Sequence, residues 1–198
     1  MTDELVGLGE TVTLFASGGS NTKAELVAIS PKPLRLSRPP IDPMSALTAL
    51  LEGVARRAKE FDIIHYHLDW IHIPMLRRLG RPFVTTLHGR LDLPQMHSFA
   101  ASFADAPFIS ISNNQRTPLA ELNFVETIYH GIPAELCGRI CSRPAIWHLG
   151  RFTREKGAHI AIRLARQTHL PLLVAAKVAG ADALFQGADR AVAGRQSD

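Results

Sequence analysis

In GRFTREKG, residues 150–157, Arg151 and Lys156 flank a short turn. A guanidinium offers phosphate oxygens a planar fork, and an ammonium offers them a point charge. The apolar run AIWHLG precedes the turn, and EKGAHIAIRLARQTH follows it with apolar residues at three- and four-residue intervals. That order predicts a strand ending at Gly150 and a helix beginning around Glu155. The first N–H groups of a helix point outward with the positive end of its dipole, so an anion is favoured there. Gly150, Arg151 and Lys156 are therefore candidates for holding a diphosphate. The alternative is a strand-to-helix turn with solvated basic residues.

Histidines mark two other strand ends. In FVTTLHGR, His88 follows an apolar strand and precedes Gly89. An imidazole at the carboxyl edge of a sheet could donate to a sugar hydroxyl or to a developing negative charge, and a structural histidine is the alternative. In DIIHYHLDW, the spacing of His65, His67 and Asp69 resembles the H-x-H-x-D stretch of metallo-β-lactamase-like zinc hydrolases. That family continues with a histidine where Trp70 stands, and builds an antiparallel sandwich, so the zinc reading is a rival and no metal is expected. Glu52 and Glu60 form an E-x7-E spacing among Arg56, Arg57 and Lys59, which points to solvated salt bridges on a helix surface.

These residues need elements to position them. Short apolar or β-branched runs recur: TVTLFAS, FDIIHYH, RPFVTTLHG, APFISIS, NFVETIYHG, AIWHLG and LPLLVAAK. Between several of them lie MSALTALLEGVARRAKE, IHIPMLRRLG and MHSFAASFA, with helical periodicity. This alternation predicts an α/β fold, a parallel sheet with helices on both faces. TDELVGLGETVTLFA reads as a helix tail, a stop at Gly9 and a strand, so the expected central first strand and its glycine-rich loop are missing ahead of it. SPKPLRLSRPPIDP is a proline-ordered loop, and a second break, PAELCGRICSRP, separates two domains.

Composition narrows the classes. The 198 residues are 46% hydrophobic and 20% charged, with a net charge of +4. No apolar run approaches the roughly 18 residues of a membrane span. The N-terminus lacks the features of a signal peptide, so a cytoplasmic location is expected. Basic residues are scattered and not interleaved with aromatics, which argues against nucleic acid and fits a phosphate-bearing small molecule. Cys137 and Cys141 have no zinc-site partners and no C-x-x-C spacing.

Six ordered blocks, GETVTLFASGGSNTKAEL, FDIIHYHLDW, RPFVTTLHGRLDLP, FISISNNQRTPL, VETIYHGIP and LGRFTREKGAHIAIRLARQTHLPLLVAAKV, resemble the group 1, or GT4, nucleotide-sugar glycosyltransferases of the GT-B fold. The resemblance implies two Rossmann-like domains. Residues 1–133 would form the acceptor-side domain without its first strand, 134–144 the linker, 145–178 the beginning of the nucleotide-sugar domain, and 179–198 a weakly structured tail. It further implies that Arg151 and Lys156 contact the diphosphate of a nucleotide-sugar donor and that His88 lies beside the transferred sugar. Gly89 would admit close backbone approach. Transfer to the hydroxyl of an unidentified acceptor would retain anomeric configuration without a cofactor. Nothing after Val178 resembles the family's E-x7-E segment, so a chain truncated at both ends, with weak transfer on its own, is expected. The rival expectation is a non-catalytic remnant or binding module that associates with another chain.

Overall fold

The computed structural model describes residues 1–132, 145–152 and 156–177. The chain divides into two compact units, Met1–Gly131 and Ile132–Asp198. Both are α/β, with parallel sheets flanked by helices.

The first unit opens with helix α1, Thr2–Gly7, whose end is closed by Gly9 at φ 97°. The Gly9 N–H donates to Val6 and the Glu10 N–H to Leu5, so two end carbonyls are satisfied through a left-handed residue that suits glycine. Strands β1, Thr13–Ser17, and β2, Glu25–Ser30, then pair in parallel. The second of these is absent from the sequence expectation, because ELVAIS has no strict two-residue alternation and no helical segment separates it from β1. The return loop is held instead by Asp3 of α1, whose Oδ1 accepts from Thr22 Oγ1 at 2.6 Å and from the Lys23 N–H at 2.8 Å. Where the two strand ends converge, a Cβ at Gly18 would come within 2.5 Å of the Pro31 carbonyl oxygen, so the backbones approach too closely for any side chain there.

Helix α2, Pro43–Arg57, starts where Asp42 accepts from the Ser45 N–H at 2.7 Å and Pro43 takes the first turn. Arg56 and Arg57 lie in its last turn, against the negative end of the dipole. Glu52 pairs with Arg56, and Glu60 with Arg57, as exposed salt bridges. Val54 of α2 packs with Ala58, Ile64, Tyr66 and Leu76, and Phe15 of β1 lies against the same cluster.

A second sheet follows, its strands β3, Ile64–Tyr66, β4, Phe83–Thr86, β5, Phe108–Ser110, and β6, Phe124–Thr127, all parallel and in that spatial order. Helices α3, Ile73–Leu79, α4, Met96–Phe103, and the short α5, Asn113–Arg116, alternate with them. Ile73, Leu87, Ala100, Phe108 and Leu119 form its core. Phe108 is fully buried, which contributes about 1.5–3 kcal/mol relative to an exposed ring. Because every strand runs the same way, all four carboxyl ends emerge at one edge.

The second unit contains β7, Ile146–Arg151, helix α6, Ala158–Thr168, and β8, Leu172–Lys177, with β7 and β8 parallel along their whole length. The break PAELCGRICSRP with its two cysteines, the helix start expected around Glu155, and the tail 179–198 lie outside the described residues.

Candidate functional site

The carboxyl edge of the second sheet gathers histidines from three strand ends. The Nε2 of His65 and the Thr86 hydroxyl are 2.8 Å apart, and His67 Nδ1 lies 2.8 Å from His88 Nε2. Both links follow from one register. His65 stands opposite Val84, and each histidine reaches the residue two places beyond its partner, on the same face of the sheet. The ring of His67 lies 4.4 Å from that of His65 and 5.1 Å from that of His88. His88 in turn stacks on His130, which follows β6, with centroids 5.3 Å apart and planes 3° from parallel. Four imidazoles thus form a row.

Polar anchoring fixes the loop that carries His88. Ser112 caps α5 by accepting from the Gln115 N–H, and the Gln115 side chain donates to the carbonyls of Leu87 and Gly89, at 3.0 and 2.9 Å. Its own carbonyl accepts from the Ile111 N–H. One amide therefore ties the ends of β4 and β5 together on either side of His88. Asp69 stands beside this loop, with Oδ1 3.8 Å from where a Cβ on Gly89 would sit.

The row's electrostatics follow from crowding. Burial pushes the His67 pKa down to about 4, and the like charges of His65, His88 and His130 push the same way. Burial and His88 lower His65. His88 is lowered by burial and by His130, with Asp69 opposing. The link between His67 and His88 joins two ring nitrogens, so one must donate and the other accept, and both rings cannot be cationic while it persists. With their pKa values lowered, His65, His67 and His88 are neutral donors and acceptors at neutral pH.

The zinc reading of His65, His67 and Asp69 does not fit this geometry. The strand before them pairs in parallel, where that reading requires an antiparallel sandwich. One ring nitrogen of His65 is bonded to Thr86 and one of His67 to His88. Among the described residues, no group of three His, Cys, Asp or Glu side chains is disposed to hold a metal ion.

A cavity of about 630 Å³ opens beside His67 and Asp69. Its other walls are apolar and come from α2, the segment after β3, α3 and α4.

The second unit carries the basic turn. Gly150 has φ 152° and Gly157 φ 75°, both in the region that favours glycine, and Gly157 caps α6 without a side-chain acceptor. Arg151 and Lys156 are both exposed, and the Lys156 side chain passes 3.9 Å from the Cβ position at Gly150. A Cβ there would meet the lysine stem only in ordinary contact, so it is the backbone angle that favours glycine.

Sequence reasoning selected His88 and Gly89, and it considered His65, His67 and Asp69 only as zinc ligands. It missed His130 and Gln115. A signal for His130 existed, since the strand-ending pair His-Gly in TLHG recurs in TIYHG. Ser112 and Gln115 stand at the S-x-x-Q spacing of a helix start, but the Leu87 and Gly89 carbonyls that Gln115 reaches lie more than two dozen residues away and leave no local signal.

Parallel strands whose carboxyl-end loops converge on one polar row define an α/β domain of the Rossmann-like class, which binds ligands at that edge. The chain belongs to Glycosyltransferase Family 4, which its residues 1–136 match. That match includes the whole histidine row and stops before the basic turn. No curated protein matches the chain. Among the described residues, no helix is long and apolar enough to cross a membrane.

Proposed function

We propose that the chain takes part in sugar transfer from a nucleotide-diphosphate sugar to an acceptor hydroxyl, with retention of configuration. The observation that carries this reading is the placement of His88, inside the family-matched segment and at the carboxyl end of an inner strand. In the first unit, His88 lies beside the transferred sugar, and neutral imidazoles at this edge hydrogen-bond its hydroxyls without a charge to desolvate. Gly89 allows the backbone to approach the sugar. In the second unit, Arg151 and Lys156 hold the donor diphosphate beside Gly150, whose backbone angle favours glycine. The bond from the anomeric carbon to the phosphate oxygen breaks as the acceptor oxygen bonds to that carbon. The acceptor proton leaves on the departing diphosphate, whose growing charge the basic pair stabilises.

Calorimetry with UDP-glucose, GDP-mannose and ADP-glucose tests the donor half. Binding of one of them, weakened at least tenfold in Lys156→Ala and by about two- to tenfold in His88→Ala, supports the assignment. Failure of all three to bind the full chain overturns it. Where transfer to an acceptor is measurable, His88→Ala lowers it at least a hundredfold.

A further inference from the structure

The acceptor's chemistry is legible in the cavity beside His67 and Asp69. Those two are its polar lining residues, and the other seven are apolar. Leu47 comes from α2, Leu68, Trp70 and Ile71 from the segment after β3, Pro74 from α3, and the rings of Phe99 and Phe103 from α4. Trp70 is set against Phe103, at 6.0 Å and 22° between planes, and edge-on to Phe108 at 5.2 Å, so its indole is a fixed wall. Phe99 and Ile71 remain 48% and 39% exposed, leaving apolar surface open to a ligand.

A bare sugar suits this cavity poorly. Its hydroxyls would meet carbon on most sides, and each buried hydroxyl left without a partner is costly. An apolar body would displace water from Phe99, Ile71 and Leu47, while one hydroxyl reached His67 and Asp69, which lead directly to His88 and Gly89. The volume accommodates a body of aromatic-ring size.

Resting on the proposed sugar-transfer reading, we propose that the acceptor is amphipathic, with an aromatic body held by Trp70, Phe99 and Ile71 and a hydroxyl presented to His67 and Asp69. The test uses the full chain with Trp147→Phe, which leaves Trp70 as its one tryptophan, and follows Trp70 emission during titration. Phenyl β-glucoside is expected to bind at least tenfold more tightly than methyl β-glucoside. Phe99→Ser and Ile71→Ser should each weaken it at least fivefold, and Val125→Ser, an exposed change on β6, should leave it unaltered. Equal binding of the phenyl and methyl compounds overturns the inference, as does octyl β-glucoside binding tenfold more tightly than phenyl, which would assign an alkyl chain. Phenyl glucoside binding with no nucleotide-sugar binding overturns the sugar-transfer reading and leaves the cavity's chemistry standing.

Discussion

Strands β3 and β4 show two faces, and each holds a histidine whose pKa is pushed down to about 4. On one face His67 belongs to an exposed row of imidazoles, where both burial and like charges disfavour its proton. On the other, His72 is fully buried and burial alone is the cause. It stacks on Tyr66 at 4.0 Å and 3°, and its Nε2 lies 2.7 Å from the Thr85 hydroxyl, itself fully buried. The same depressed pKa thus arises from a packed structural histidine and from a candidate ligand-binding row. What separates them is whether the neighbours are titratable groups at an open edge or carbon and a hydroxyl inside a core.

The largest expected effect tests the structural side. His72→Ala removes a buried ring and strands the Thr85 hydroxyl, so it should cost about 3 kcal/mol of stability in urea unfolding. His67→Ala should cost less than about 1 kcal/mol. Reversal of that order would end the distinction.

Acidification gives the next effect. The folded His72 pKa lies below that of the unfolded chain, so the unfolded state takes up a proton first as pH falls. Stability is therefore complete above the unfolded value of 6.5, and it declines between there and about 4. For His72 the decline is on the order of 3 kcal/mol. His72→Gln, which can still donate to Thr85, should remove this share of the slope when unfolding is compared at pH 7 and pH 4.5, and leave the share that His67 contributes.

A smaller effect tests how the row is held. Gln115→Ala should cost about 1–2 kcal/mol and speed amide hydrogen exchange at Ile111, since the loop beside His88 loses its side-chain anchor. Exchange near His72 should not change. The smallest effect sharpens the electrostatic side. In His130→Ala, NMR titration should show the His67 pKa rising slightly, as the weakest of the three histidine charges acting on it is removed, while His72 stays put.

The alternation of strands and helices was readable because packing both faces of a parallel sheet demands continuous apolar strands and amphipathic helices. MSALTALLEGVARRAKE, for example, announces α2 through its spacing, whereas its Asp42–Pro43 start was read as the end of the proline-ordered loop. Strand β2 was not readable. It is tied in by Asp3, some twenty residues earlier, and by pairing to β1, and neither leaves a local pattern. At the site, His88 announced itself by following an apolar run and preceding Gly89. The same sequence offered His65, His67 and Asp69 as metal ligands because spacing alone cannot say which way a ring nitrogen bonds.

By itself the amino-acid order determined the α/β class, the stop of the first helix at Gly9, and the presence of imidazoles and basic side chains where strands end. Those properties depend on neighbours within a few residues, through backbone preference and apolar period. Tertiary structure alone decided that His67 meets His88 and His88 meets His130, while His72 meets Tyr66 and Thr85. Those partnerships are set by the hydrogen-bonding register of parallel strands, which is chosen by packing across the whole sheet. A shift of that register by one residue would exchange the two faces.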